Sequence, residues 1–156
     1  DFLGINYYFR EIIADDPKGG PMRSRVVETA ASDVTGFGWE VYPEGLTELL
    51  LRVTRDYHPA PIAITENGAT YPDEMAEDGR IHDERRAIYI HRHIDALRAA
   101  MDGGVDLAGY FVWSLLDNFE WAEGYSKRFG LVHVDFATQA RTMKDSGRWF
   151  ATFLKG

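Results

Sequence analysis

Three short apolar segments of the chain each end in polar or aromatic residues that suit sugar chemistry. Asn6 and Tyr8 end the first segment, Glu66 directly follows the second, and the third reaches Trp113. On a strand, the side chains of Asn6 and Tyr8 share a face because side chains alternate along it. A tryptophan ring can stack on the C–H face of a pyranose, and a carboxylate beside the anomeric carbon can act as a nucleophile. Glu66 is therefore the candidate nucleophile.

The loop after the third segment carries a second group of candidates, Asp117-Asn118 and Glu120-Trp121. Carboxylates and amides hydrogen-bond sugar hydroxyls. From the residues alone, Glu66 and Glu120 are one possible pair of the carboxyl groups that glycoside hydrolysis uses. These residues also have a structural interpretation, in which Asp117-Asn118 caps a loop and Glu120-Trp121 lies on the surface.

Hydrophobic periodicity predicts the elements that must position these residues. The predicted helices cover residues 43–57, 83–103 and 145–154, and the predicted strands cover residues 2–8, 62–65, 107–116 and 129–134. Asp83 is the expected N-cap of the second helix, and Asp145 or Ser146 that of the third. Residues 10–45 and 69–82 show little periodicity, and we expect them to form loops.

Apolar strands that alternate with helices indicate an α/β fold, with a parallel sheet covered by helices. The carboxyl ends of parallel strands lie at one edge, which carries the site in α/β folds and barrels. Taken singly, Glu66 is equally compatible with a helix cap or a turn with Asn67-Gly68, and Trp113 with a core position. The convergence of candidates from three segments on one edge favours the functional interpretation.

Composition excludes several other classes of function. The 156 residues contain 25 acidic and 17 basic side chains, for a net charge of −8, which argues against nucleic-acid binding. Without cysteine the chain has no thiol nucleophile, iron–sulfur cluster or cysteine-bound zinc. His91 and His93 would point to different faces of a helix, so we expect no metal, and no cofactor motif is present. There is no apolar run of roughly 18 residues and no signal pattern, so we expect no membrane contact and a cytoplasmic location.

Two blocks of the sequence resemble glycoside hydrolase family 1, the β-glucosidase family. Ile64-Thr65-Glu66-Asn67-Gly68 is similar to the nucleophile motif of that family. The run 113–121, followed by Lys127-Arg128-Phe129-Gly130-Leu131 and Val134-Asp135, resembles the eighth barrel strand and the loop after it. Residues 1–8 resemble the sixth strand, and Arg141, Lys144, Ser146 and Trp149 resemble the closing helix. The resemblance implies that residues 1–156 are the C-terminal third, about the last three βα units, of a single (β/α)8 TIM-barrel glycosidase domain.

The resemblance assigns catalytic roles at two of the strand ends. Glu66 would be the nucleophile that forms a covalent glycosyl-enzyme intermediate, with net retention of configuration. Tyr8 would donate a hydrogen bond to Glu66 and hold it oriented and ionised. Asn6 would lie beside Tyr8 on the same strand and contribute to substrate binding.

The resemblance also assigns a sugar-binding wall. Trp113 would form the platform under the glycone, and Glu120 would accept hydrogen bonds from the O4 and O6 hydroxyls, with Trp121 beside it. Phe129 would help close the glycone pocket, and Trp39 would line the aglycone side. Glu120 is thus interpreted as a sugar-binding residue rather than a second catalytic carboxylate.

Glu120 narrows the expected substrate to an unphosphorylated β-glycoside or oligosaccharide. The 6-phospho-glycosidases of the family resemble this block but carry a small residue, typically serine, at this position. A carboxylate there would repel a 6-phosphate group at close range.

The sequence departs from the family in lacking an acid/base residue. Retaining hydrolysis needs a second carboxyl group roughly 5–5.5 Å from the first. In the family this group lies in an Asn-Glu-Pro motif on the fourth strand, and no such motif occurs in these 156 residues. The chain also opens on a strand with no initiator methionine. We therefore expect it to act with the missing N-terminal part of the barrel and to be inactive alone. The alternative is a non-catalytic sugar-binding or structural half-barrel module.

Overall fold

The computed structural model describes residues 1–28 and 33–156 of the chain. In chain order the strands are β1 (Leu3–Asn6), β2 (Ile13–Asp15), β3 (Ser24–Val26), β4 (Ile62–Asn67), β5 (Leu107–Val112), β6 (Val132–Val134) and β7 (Arg141–Met143). The helices are α1 (Pro43–Tyr57), α2 (Glu84–Asp102) and α3 (Asp145–Phe153). No helix within the described residues is long and apolar enough to cross a membrane.

The central element is a parallel sheet of three strands in the order β1-β4-β5. Leu3 pairs with Ile62, and Ile62 pairs with Leu107, so the strands start level with one another. A helix follows β4 and another precedes it, as expected for parallel strands joined by crossovers. The carboxyl ends of all three strands therefore meet at one edge, as the alternation of strands and helices predicted.

One face of the sheet is covered by α1 and α2. Leu46 and Leu50 of α1 and Leu97 of α2 are buried and pack in one cluster with Ile62 and Ile64 of β4. Burying apolar side chains of this size stabilises the fold by about 1.5–3 kcal/mol each relative to leaving them exposed. This helical layer therefore fixes the position of β4, the strand that carries Glu66.

The opposite face of the sheet is lined by small residues and one large aromatic ring. Gly4, Ala63 and Gly109 are aligned across the three strands, and Phe111 follows two residues after Gly109. The Phe111 side chain is 60% exposed, and Phe2, just before the β1 edge strand, is 62% exposed. An open apolar face beside an unpaired strand edge is what we expected of an incomplete barrel.

Several boundaries differ from the sequence prediction. β5 ends at Val112 rather than at residue 116. The Trp113 N–H still donates to the Asn67 carbonyl of β4, but from Ser114 onward the backbone hydrogen bonds go to the segment 129–132 instead. The stretch 10–45 contains a short antiparallel hairpin of β2 and β3, and its residues 29–32 lie outside the described residues. The predicted strand 129–134 is reduced to β6, which pairs with β7.

Of the predicted helix caps, Asp83 is confirmed as the N-cap residue of α2, whereas the cap predicted for α3 is wrong. The N-cap position of α3 is Lys144, so Asp145 and Ser146 lie inside the helix. Asp83 does precede α2, but its side chain makes no capping hydrogen bond. The Asp83 carboxylate instead accepts hydrogen bonds from Arg86 and from the Ser146 hydroxyl.

These acceptors and donors belong to a buried charge cluster beneath the loops at the carboxyl edge. It contains three carboxylates and three cations: Asp73, Asp83, Asp117, Arg86, Arg128 and Lys144. All except Arg128 have side chains at most 1% exposed. Such charges are tolerated inside a protein only when they are paired and hydrogen-bonded.

The charge cluster connects loops that are distant in sequence. Lys144 binds Asp73 and also Asp117, the latter at 2.8 Å, while Arg128 reaches Asp117 at 2.6 Å. Burial raises the pKa of the Asp117 carboxyl. The Lys144 ammonium and the Arg128 guanidinium outweigh that effect and hold the pKa below its ordinary value. The cluster therefore fixes the start of α3 against the loops that follow β4 and β5.

Replacing Lys144 with methionine tests the importance of this cluster for stability. The Lys144→Met variant keeps most of the apolar stem of the side chain but leaves the carboxylates with one cation too few, so we expect a loss of about 3–5 kcal/mol. Urea unfolding measures this free energy. The matched control Lys18→Met changes an exposed lysine and should alter stability by no more than about 0.5 kcal/mol. Equal midpoints for the two variants would contradict a structural role for the cluster.

Candidate active site

The carboxyl edge of the sheet forms an open depression that collects most of the predicted site residues. Its lining consists of Tyr8, Trp39, Glu66, Trp113, Glu120, Trp121 and Phe129. These are seven of the eight side chains to which the family resemblance assigned a role in the site. Tyr8, Glu66 and Trp113 meet here because the parallel register brings the carboxyl ends of β1, β4 and β5 to the same level.

Asn6 is the predicted site residue that is not part of the lining. Its Oδ1 accepts a hydrogen bond of 2.6 Å from the Thr65 hydroxyl on the neighbouring strand. Asn6 and Thr65 thus bind one another across the sheet. Asn6 therefore lies next to the site, but its carboxamide oxygen is hydrogen-bonded within the sheet.

A short hydrogen bond in the depression joins Tyr8 to Glu66. The Tyr8 hydroxyl donates to Oε2 of Glu66 at 2.7 Å. Burial raises the pKa of Tyr8 far above its ordinary value, and the hydrogen bond to the Glu66 carboxylate raises it further. Tyr8 therefore keeps its proton over the whole working range and remains a hydrogen-bond donor to Glu66.

Glu120 is the second carboxyl group of the depression. Burial raises its pKa, the nearby Glu66 carboxylate adds to the rise, and a hydrogen bond from Trp113 opposes it. The backbone of Glu120 is fixed by a bridge to Gly124, which closes the turn around Trp121. Trp121 is 83% exposed, so one wall of the depression stands open to solvent.

The loop that carries Glu120 and Phe129 is anchored from below by the charge cluster. Asp117 accepts hydrogen bonds from the N–H groups of Gly130 and Val134, at 2.9 and 3.2 Å. Phe129 is 4% exposed and meets the Tyr8 ring edge to face, with ring centres 6.2 Å apart. Asp117 thus acts as more than a loop cap, and Arg128, which pairs with it, is only partly exposed.

Trp39 lines the depression and packs among other aromatic rings. The rings of Phe9 and Phe37 both stack on it, at 4.6 and 4.5 Å between centres. Trp39 also contacts the Tyr8 ring, with centres 5.8 Å apart. Much of its aromatic surface is therefore engaged by protein side chains, and its clearest contact within the depression is with Tyr8.

Asn67-Gly68, which the sequence left open as a plain turn, has two tertiary functions. Asn67 is the last residue of β4 and is fully buried. Gly68 lies against the backbone of Trp113, where a β-carbon would come within 1.9 Å of the Trp113 carbonyl oxygen. Only glycine permits this approach, which brings the strands of Glu66 and Trp113 together. The sequence shows the Asn-Gly pair, but it does not show which distant residues the pair contacts in the fold.

The site residues offer hydrogen-bonding and aromatic groups rather than a metal centre. Within residues 1–28 and 33–156, no group of three or more histidine, aspartate or glutamate side chains is arranged to hold a metal ion. A carboxylate oriented by a neutral phenol, with tryptophan rings around it, suits attack on a sugar carbon. The chemistry inferred from the sequence therefore has a physical setting at this edge.

Comparison with known proteins identifies one family model and several similar proteins. The family model described as Glycosyl hydrolase family 1 matches residues 1–156. β-Glucosidase A of Thermotoga maritima is 50% identical over 155 residues, which cover 99% of this chain and 34% of that protein. A solved structure of β-glucosidase from Thermotoga maritima in complex with glucoimidazole has a TM-score of 0.95 at 49% identity. It covers 99% of this chain and 34% of that one. The 6-phospho-beta-galactosidase of Staphylococcus aureus is 37% identical, over 96% of this chain and 36% of that protein.

These similarities confirm the expected fold class, an α/β structure that forms part of a (β/α)8 barrel. The chain spans about a third of the length of the curated relatives it matches. That share agrees with three parallel strands out of a barrel of eight. By the match along its whole length and by its identity to these relatives, the chain belongs to glycosyl hydrolase family 1.

Proposed function

We propose that this chain supplies the nucleophile and one sugar-binding wall of a retaining β-glycosidase that acts on unphosphorylated β-D-glycosides or oligosaccharides. The observation that carries the proposal is the Tyr8–Glu66 hydrogen bond of 2.7 Å inside an aromatic depression. A carboxylate held by a protonated phenol has one oxygen fixed, and the other is free to approach a substrate. The identity to β-glucosidases supports the same reaction class.

The proposed reaction has two steps. In the first, Oε1 of Glu66 bonds to the anomeric carbon, the glycosidic bond breaks, and an acid protonates the departing oxygen. In the second, water attacks the anomeric carbon, the ester bond to Glu66 breaks, and the same acid, now a base, takes a proton from the water. Two inversions give net retention. Tyr8 holds Oε2 throughout, so the carboxylate need not reorient between the steps.

The acid/base group must come from outside these residues. Retaining enzymes place it roughly 5–5.5 Å from the nucleophile. We assign Glu120 to sugar binding, and the Asn-Glu-Pro motif that carries the acid/base residue in the family does not occur in the sequence. The chain would therefore act together with the remaining strands of the barrel, which are its implied partner, and would be inactive alone.

The glycone wall is proposed from the remaining lining residues. Trp113 would support the sugar ring from below, and Glu120 would accept hydrogen bonds from its hydroxyls beside Trp121. Phe129 would close the inner side. The glucoimidazole complex of the similar Thermotoga maritima structure supports a sugar-like ligand at this kind of site. Asn6 and Trp39 would contribute at the margins, on the glycone and aglycone sides respectively.

Glu120 provides the basis for excluding phosphorylated substrates. Its carboxylate lies close enough to Glu66 for the two charges to influence one another. A 6-phosphate group would add a third negative charge to this partly buried region. The 6-phospho-beta-galactosidase relative indicates that other family members act on phosphorylated sugars, so this residue would set the distinction.

A reconstitution experiment tests the assignment of Glu66. We expect no turnover of an aryl β-glucoside by the 156-residue chain alone, and turnover by the complete barrel that contains it. In the complete barrel, Glu66→Gln should lower kcat/KM by at least about 10⁴-fold, because it removes the nucleophile and not merely a contact. Absorbance of the released phenol measures the rate.

The control for this experiment is Glu123→Gln, which changes an exposed carboxylate on the same edge and should retain activity. Hydrolysis by the 156-residue chain alone, lost on Glu66→Gln, would contradict the need for an outside acid/base group. Binding of a glucoside by the 156-residue chain, with no turnover in any context, would favour the non-catalytic sugar-binding module.

Exchange of Glu120 tests the substrate class. Glu120→Ser in the complete barrel should lower kcat/KM for an aryl β-glucoside by roughly 10- to 100-fold, since a hydrogen bond to a charged group is lost. The same variant should raise kcat/KM for the 6-phosphorylated glucoside, because the repelling charge is gone. Glu123→Ser serves as the matched control and should change neither value. A parallel fall for both substrates would contradict the charge-exclusion argument.

A further inference from the structure

Asn67, the residue after the proposed nucleophile, contacts all three strands of the sheet. It ends β4, it is completely buried, and each polar atom of its carboxamide has a partner. Its Nδ2 donates to the Tyr7 carbonyl at 2.7 Å and to the Tyr89 hydroxyl at 3.1 Å. A plain turn asparagine has no need of so many buried contacts.

The other atoms of Asn67 bind the third strand. Its Oδ1 accepts a hydrogen bond of 2.9 Å from the Tyr110 hydroxyl, and its backbone carbonyl accepts one of 2.9 Å from the Trp113 N–H. One residue therefore joins the end of β1, the end of β4 and the end of β5. These are the three ends that present Tyr8, Glu66 and Trp113.

Tyr89 of α2 completes the connection to Tyr8. The Tyr89 hydroxyl accepts the hydrogen bond from Asn67 and donates one of 3.2 Å to the Tyr8 carbonyl. The Tyr89 ring is held by a stacked His93 ring, with centres 4.0 Å apart. The Nδ1 atom of His93 hydrogen-bonds the Tyr89 carbonyl at 2.8 Å. Burial lowers the pKa of His93 to about 4, so the His93 ring stays uncharged.

We propose that Asn67, acting through the Tyr89 hydroxyl and the Tyr7 carbonyl, is a positioning residue that keeps the Tyr8 hydroxyl against the Glu66 carboxylate. The inference rests on the proposed function of Glu66 as nucleophile. Its physical basis is that Asn67, which directly follows Glu66, binds the Tyr7 carbonyl itself and reaches the Tyr8 carbonyl through the Tyr89 hydroxyl. The peptide groups on both sides of Tyr8 are therefore tied to the end of β4, and a shift of the β1 end relative to the β4 end would strain these bonds as well as the Tyr8–Glu66 hydrogen bond.

A purely structural role for Asn67 makes different predictions. A buried amide that only stabilises the core would affect folding and sugar binding, and its effect would not depend on Tyr8. A positioning residue acts through Tyr8, so its effect on rate should vanish when the Tyr8 hydroxyl is absent. A double-mutant cycle separates the two roles.

The experiment uses the complete barrel and four single variants. Tyr89→Phe removes the hydroxyl between Asn67 and Tyr8, Tyr110→Phe removes the donor to the Asn67 carboxamide oxygen, and Tyr8→Phe removes the positioned group. Tyr71→Phe is the matched control, because Tyr71 is a buried tyrosine of the same cluster as Tyr89 whose hydroxyl makes no hydrogen bond to a described residue. The readouts are kcat/KM for an aryl β-glucoside, the Kd of a non-hydrolysable thio-β-glucoside, and the thermal midpoint.

We expect Tyr89→Phe to lower kcat/KM by roughly tenfold, because small displacements of reacting groups have large effects on rate. The Kd of the thioglucoside should stay within about twofold, and Tyr110→Phe should act in the same direction. In the Tyr8→Phe background, Tyr89→Phe should lower kcat/KM by less than about twofold. Tyr71→Phe should leave both quantities unchanged.

The opposite results would overturn the proposal. An equal fall in rate with and without the Tyr8 hydroxyl would assign Asn67 and Tyr89 a structural role, as would a failure of both the Tyr89→Phe and Tyr110→Phe variants to fold. The Glu66→Gln variant keeps this test distinct from that of the proposed function. If Glu66→Gln abolishes turnover while the cycle is additive, the positioning role alone is wrong.

Discussion

The loops of the site depend on a balance of buried charge. Three carboxylates and three cations meet beneath the carboxyl edge of the sheet, and five of the six side chains are almost completely out of solvent. An unpaired charge in such a place would cost several kcal/mol, so each member restricts where its partners can lie. Asp117 illustrates the consequence, since it binds Lys144 and Arg128 and also the backbone of the loop that carries Phe129. The cluster gives irregular loops the fixed positions that a binding wall requires.

Above this base, the site combines residues at strand ends with residues on a loop. Glu66, Tyr8 and Trp113 stand at the ends of strands, which are held by the parallel register and by the layer of α1 and α2. Glu120 and Trp121 stand on a loop, and the high exposure of Trp121 leaves room for a ligand to approach. The placement of Glu66 on a strand suits the proposed chemistry, because a bond-forming carboxylate needs a fixed position relative to the atom it attacks.

Membership in glycosyl hydrolase family 1 also explains features that look unfavourable in a separate domain. The open sheet face with Phe111 and the exposed β1 edge are what a segment of a barrel presents to the segments beside it. The same reasoning places the proposed acid/base group on another strand of that barrel. Fold and proposed function therefore point to the same partner, the other strands of a closed (β/α)8 structure.

The sequence by itself determined the alternation of strands and helices, the parallel sheet and the residues at the strand ends. These properties follow from local hydrophobic periodicity and from the order of residues along the chain. The tertiary structure alone decided which charges pair, since Lys144 and Asp73 are 71 positions apart. It also decided that Phe9 and Phe37 stack on Trp39, that the side chain of the N-cap residue Asp83 binds Ser146 rather than the backbone of α2, and that Asn67 joins three strands. Periodicity shows whether a residue faces the core, but the partner it meets there depends on how distant segments pack.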